Sequence, residues 1–307
     1  MVSSVTTAST APQSKQPLTG QQLSSLNAQS NRLGLLQLAS HLSVMGVSGY
    51  LWFTADGWLK IAALIVYGFS LAILFAPLHE CSHRTAFANN RLNNAVAWLA
   101  GVLSFYNSAF YRRFHKWHHR YTQVPGKDPE LGELRPSNIW EYLLVISGVL
   151  WWRDKFKGHY RIAVGNLENC PYIPEAARDE VVKSTRLQLA LYLGVIIVST
   201  ALGHPGFIVY AWLLPLAVGQ PFLRYILMAE HTGCTTDNNY FTNTRTTLSL
   251  LPLRLMVWNI PFHAEHHLYP SIPFHKLPQA HQQLSTHFRH VDSGYLKVHR
   301  DIAAGWK

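Results

Sequence analysis

Pro261-Phe262-His263-Ala264-Glu265-His266-His267-Leu268-Tyr269-Pro270-Ser271-Ile272-Pro273 sets three imidazoles at positions i, i+3 and i+4. On an α-helix these share one face, within reach of one metal ion or of a close pair. The spacing recurs at His115-Lys116-Trp117-His118-His119, and a related pair, His79 and His83, stands four residues apart in Leu78-His79-Glu80-Cys81-Ser82-His83. These three boxes hold eight of the chain's 17 histidines. Neutral imidazole suits iron, zinc or copper. A catalytic zinc takes about three protein ligands and a structural one about four, so the boxes fit two ions better than one. Iron is favoured, because nitrogen-rich sites with open positions suit ferrous oxygen chemistry and zinc cannot change oxidation state.

The boxes sit in a chain built for lipid. Charged residues are 14% of the 307 and hydrophobic ones 48%, with the apolar residues in blocks, and ten Trp with 14 Tyr supply interfacial aromatics. Residues 34–53, 61–78, 187–202 and 206–222 read as about four membrane-spanning helices. The last two are joined by Gly203-His204-Pro205, short enough for an antiparallel helical hairpin. Pro215 and Pro221 are expected to kink its second member. Residues 95–110 and 140–152 are too short to cross and read as interfacial helices, and 247–262 as an amphipathic segment. Residues 1–33, rich in Ser, Thr, Gln and Ala, read as a disordered tail, 34–290 as the membrane domain and 291–307 as a C-terminal tail.

The net charge of +10 suggests nucleic acid only superficially, since no reader motif or basic stripe accompanies it. Every Lys and Arg except Lys60 falls in the N-terminal tail, in the middle segment or from Arg224 onward. With an even number of crossings all of these lie on one side of the membrane, and the positive-inside rule makes that side cytoplasmic. Both termini and all three boxes then face the cytoplasm, giving an all-α integral membrane protein with a histidine-rich cytoplasmic cap. Cys81, Cys170 and Cys234 form no CxxC pair and are odd in number, so reduced thiols are expected rather than a disulfide framework.

The order HxxxH, HxxHH, HxxHH after membrane spans, with the continuation His-His-Leu-Tyr-Pro-Ser-Ile-Pro, resembles the membrane-bound fatty acid desaturase superfamily, which includes hydroxylases and ketolases. The resemblance implies that His79, His83, His115, His118, His119, His263, His266 and His267 ligate a di-iron centre. Glu230-His231-Thr232-Gly233 resembles a segment of the hydroxylase branch, which makes His231 a ninth ligand. It also implies dioxygen as co-substrate, an apolar acyl-chain substrate in the bilayer, and electrons from a separate ferredoxin or cytochrome-type donor. Desaturation of a lipid or carrier-bound acyl chain is then the expected reaction. Hydroxylation of a lipid, carotenoid or other apolar molecule is the alternative, and no motif separates the two.

Other residues carry weaker expectations. Asp128, Glu130, Asp237 and Asn239 are close to boxes in sequence, where they read first as solvated loop residues and second as partners for ligand N–H groups. Glu80 and Glu265 lie between box histidines and are expected to point away. Arg112, Arg113, Lys116 and Arg120 suit a phosphate headgroup or acidic carrier. His41, His159, His204, His281, His287, His290 and His299 lack box spacing and read as structural or exposed. A metal transporter is the distant rival; its ligands would lie near the bilayer midplane rather than beyond helix ends.

Overall fold

The computed structural model describes residues 17–306. The architecture is helical, with one small parallel pair of strands. Helices α1 (Gly20–Leu26) and α2 (Asn31–Thr54) lead into α3 (Gly57–Ala72) and α4 (Phe75–His83). Pro77 explains the break between the last two: it has no N–H for the Ile73 carbonyl, which accepts instead from Ala76 N at 2.8 Å in a tighter turn. Arg84, at φ 64°, then stops α4 directly after His83.

Asn89 caps α5 (Asn90–Leu103) and Asn107 caps α6 (Ser108–Tyr121), each accepting from a first-turn backbone N–H. Residues 95–110 are therefore two helices with a turn at Phe105 (φ 63°), not one interfacial helix. Gly148 at φ 76° likewise divides 140–152 between α7 (Ile139–Ile146) and α8 (Val149–Ala163). Next come α9 (Glu175–Ala201), a π-turn at Val209–Leu213, and α10 (Leu214–His231). Strand β1 (Arg245–Leu248) pairs in parallel with β2 (His290–Ser293); α11 (Leu251–Met256), α12 (His263–Leu268) and α13 (Leu277–Leu284) lie between them, and α14 (Tyr295–Ala304) follows.

Among the described residues, three helical stretches are long and apolar enough to cross a membrane: Gly57–His83, Glu175–Ala201 and Val209–His231. Helix α2 is long enough at 24 residues, but Gln37, Ser40, His41, Ser43 and Ser48 dilute its apolarity. Buried His41 is satisfied within the protein, its Nε2 2.8 Å from the Ser70 carbonyl while Nδ1 accepts from Trp258 Nε1 at 3.3 Å. Pro215 stands at the junction of the π-turn with α10, and the Ala211 carbonyl four residues before it accepts from the Tyr67 hydroxyl at 3.0 Å. The expected hairpin is opened: α10 packs mainly on α3, whereas α9 packs on α6 and α8 and leaves Leu187, Leu191, Leu193, Ile197 and Val198 exposed.

Both ends depart from the sequence reading. Residues 1–16 lie outside the described residues, but from Leu18 onward the expected tail is folded. Thr19 and Gln22 form a reciprocal capping box for α1, and Leu18 and Leu26 are buried with Phe262, Tyr269 and Leu284. The expected C-terminal tail is β2 and α14, whose Tyr295, Val298 and Ile302 enter the main core. The hydrophobic gain of covering those side chains outweighs the polar composition around them.

Candidate metal centre

Four elements converge on one buried site. The end of α4 carries His79 and His83, α6 carries His115, His118 and His119, the end of α10 carries His231, and α12 carries His263, His266 and His267. The ring nitrogens form two groups. His79, His83, His115, His119 and His266 each offer an atom within 4.8 Å of all the others, and so do His118, His231 and His267. His263 adjoins the second group, its Nε2 3.0 Å from His267 Nε2. The helical i, i+3, i+4 spacing builds this division: α6 sends His115 and His119 to one group and His118 to the other, while α12 sends His266 to the first and His267 to the second. The site can therefore hold metal ions.

The nitrogens behave as convergent lone pairs. His119 Nε2 lies 3.0 Å from His115 Nε2 and 3.1 Å from His266 Nε2, and one ring proton cannot serve both contacts. Both nitrogens of His79 and the Nε2 atoms of His83 and His231 are buried without a hydrogen-bond partner among the described residues. Orphaned ring nitrogens at this density are costly unless a cation takes up the lone pairs among them. Burial first, and neighbouring imidazoles second, hold His115, His119, His263, His266 and His267 well below the usual histidine range, in the neutral form that coordinates metal.

The second group is oriented from outside. His118 Nδ1 donates to Asp128 Oδ1 at 2.9 Å, and Asp128 accepts from the backbone of Gln123 (2.7 Å) and Glu130 (3.0 Å). His231 Nδ1 donates to the Asn243 carbonyl at 3.1 Å. Thr122 Oγ1 donates to the His118 carbonyl at 2.9 Å and so accepts from His267 Nδ1 at 3.0 Å. Each Nδ1–H points outward and each Nε2 inward, as in histidine metal sites held by an outer layer of acceptors. Burial pulls the His118 pKa down, but Glu130 and Asp128 outweigh it and the net shift is upward. Asp128 is thus a buried histidine partner rather than a solvated loop carboxylate. Asp128→Ala is expected to lower metal affinity about 10–100-fold, read by iron titration of the purified protein, with Asp237→Ala unchanged.

The remaining sequence candidates separate clearly. Asp237 and Asn239 are exposed, and Asp237 accepts from Thr235 Oγ1 and Asn239 N at 3.0 Å each. Glu80 accepts from Thr85 Oγ1 at 3.0 Å, and Glu265 bonds His281 Nδ1 at 2.6 Å and Thr246, tying α12 to α13 and β1. His281 is thus structural. Glu130 Oε2 is 3.5 Å from His118 Nε2 and Glu230 Oε2 is 3.4 Å from His263 Nε2, so both carboxylates flank the histidines. Arg113 pairs with Glu180 at 2.6 Å and Arg112 with Asn94 at 2.8 Å, while Lys116 and Arg120 are exposed; they do not form one grip. All three cysteines are free. Sequence reasoning missed Thr122 and Asn243, and it missed Tyr106, Lys155 and Arg224, which line a cavity of about 820 Å³ opening on His79, His115, His118, His231 and His263.

The fold and site define a helical chain with apolar helices of membrane-spanning length and a buried polyhistidine cluster able to bind metal beside a large cavity. The fatty acid desaturase family profile matches residues 56–298, and the chain belongs to that family. It is 25% identical to dihydrorhizobitoxine desaturase of Bradyrhizobium elkanii, over 90% of this chain and 79% of that protein. It is 25% identical to an sn-1 oleoyl-lipid 12-desaturase of Picosynechococcus (79% and 74% covered) and 26% identical to the human sphingolipid delta(4)-desaturase/C4-monooxygenase (84% and 74%). The protein is an oxidoreductase.

Proposed function

We propose that this protein is an integral membrane di-iron oxygenase that introduces a double bond into the acyl chain of a lipid or carrier-bound substrate, using dioxygen and two electrons from a separate ferredoxin or cytochrome-type donor. The observation that carries the reading is the pair of buried imidazole groups at one end of the cavity. In this reading His79, His83, His115, His119 and His266 hold one iron, and His118, His231, His263 and His267 the other. Bound iron supplies dioxygen activation and hydrogen abstraction from an unactivated C–H bond. The chain's own residues orient those imidazoles through Asp128, Thr122 and Asn243, and Phe75 and Tyr111 hold apolar carbons beside His79 and His115 (ring centres 6.0 and 5.1 Å). Four crossings by α2, α3–α4, α9 and α10, with the histidines and both termini cytoplasmic, accord with the distribution of Lys and Arg.

Hydroxylation is the second reading, favoured by the similarity to an enzyme whose name includes both desaturase and C4-monooxygenase. Expression in a bacterial host with a matched donor, followed by lipid and metabolite mass spectrometry against His118→Ala, tests both. The expected result is a histidine-dependent product lighter by two hydrogens. A product heavier by one oxygen selects hydroxylation, and identical profiles from folded, iron-loaded wild type and variant would reject the oxygenase reading for the substrates present.

A further inference from the structure

The chemistry above uses the histidine end of the cavity and leaves another wall unexplained. There the Tyr106 hydroxyl accepts from Trp151 Nε1 at 2.9 Å and from Arg224 Nη2 at 3.2 Å. Its lone pairs are taken, so its own proton is available to donate, and no acceptor for it occurs among the described residues. Lys155 Nζ stands 3.6 Å from the centre of the same ring, and Arg224 Nε is buried without a partner. Neither cation forms a salt bridge among the described residues, although Arg113, Arg153, Arg178, Lys183, Arg245 and Lys297 all do.

Two like charges held at one tyrosine, Lys155 over its ring and Arg224 at its hydroxyl, without a salt-bridge partner repel each other and lose solvation. Burial first and Arg224 second push the Lys155 ammonium down to about 7. An anion between them offsets both. No acid closes a salt bridge to either cation: Glu130 and Glu230 flank the histidines, Asp154 pairs with Arg153, and Glu133, which lines the cavity and acts on Lys155 with Asp154 and Glu130, is exposed and beyond salt-bridge distance. The Tyr106 wall therefore carries buried cationic donors without a salt-bridge partner among the described residues, while Glu130 and Glu230 stand at the histidine end.

We propose that Arg224, Lys155 and the Tyr106 hydroxyl form an oxyanion subsite that holds the carboxylate or phosphate head of the substrate. One layer of aromatic rings links it to the metal centre. Tyr106 lies 5.2 Å from Phe75 and 5.7 Å from Tyr111, and those rings stack on His79 and His115. The carbon chain of a head held there runs across this layer toward the histidines, a direction that rests on the oxygenase reading, whereas head binding does not. The three residues are thus specificity-determining.

The test is binding, measured without added iron on the full chain in phosphatidylcholine nanodiscs, with decanoate, lysophosphatidate and uncharged methyl decanoate as probes. At least one anion is expected to bind about 10–100-fold more tightly than the ester. Lys155→Met and Arg224→Gln should each remove about tenfold or more of that advantage and leave ester binding unchanged, while Lys155→Arg restores it. A preference for decanoate supports the subsite with a small free acid as its source; a preference for lysophosphatidate supports it with a membrane lipid. Binding of neither anion more tightly than the ester, or anion binding indifferent to Lys155→Met in protein that binds iron like the wild type, would overturn the proposal. Neither of these failures touches the oxygenase reading, which stands or falls on iron content and product mass.

Discussion

His119→Ala is expected to lose most of its iron and to retain less than about 1% of wild-type turnover, because this side chain does more than fill one position. Its Nε2 contacts both His115 Nε2 and His266 Nε2, and its ring stacks on His267 of the other group with centres 4.1 Å apart. Its backbone carbonyl also accepts from the Tyr240 hydroxyl at 3.1 Å, a bond that alanine keeps. The defect should therefore be confined to the site. Iron per chain by elemental analysis should fall while the melting temperature of the iron-free protein stays near wild type. His204→Ala, in the turn after α9, serves as the matched control. Full iron content and full turnover in His119→Ala would show that the first imidazole group is not a metal site.

The box histidines are legible in sequence because their chemistry and helical spacing are local properties. His231 is not: it stands alone at the end of α10, and only the resemblance of Glu230-His231-Thr232-Gly233 singles it out. The partners that orient the second group are farther from reach. Thr122 meets His267 across 145 positions, and Asn243 donates to the Thr122 carbonyl across 121. No periodicity reports such contacts, since they follow from how α6, α12 and the segment after α10 pack. The oxyanion wall was hidden for the same reason, its residues coming from the turn before α6, from α8 and from α10. The ends are a different case. Thr19-x-x-Gln22 is a readable capping box, and Tyr295, Val298 and Ile302 repeat at i, i+3 and i+7, but composition masked both signals.

The second large effect is mechanical. Gly219→Ala is expected to destabilise the protein by about 1–3 kcal/mol or more and to lower its melting temperature by about 5 °C or more. Helices α3 and α10 cross with backbones in contact. A Cβ on Gly219 would stand 1.9 Å from the Gly68 carbonyl oxygen, and one on Gly68 would stand 2.3 Å from that of Pro215. Nothing at the contact is a flexible side chain, so the helices must separate, as at other membrane-helix crossings built on small residues. Separation reaches the metal centre, because α3 runs on into α4 with His79 and His83, and α10 ends at His231. Iron affinity should therefore fall along with stability. Gly194→Ala on α9, with open space around it, should match or slightly exceed wild type in the same melt, as expected for alanine replacing glycine within a helix. Adding Gly68→Ala to Gly219→Ala should cost less than the sum of the two, since both open one contact. A Gly219→Ala protein that melts and binds iron like the wild type would mean that this crossing does not set the distance between the histidine-bearing helices.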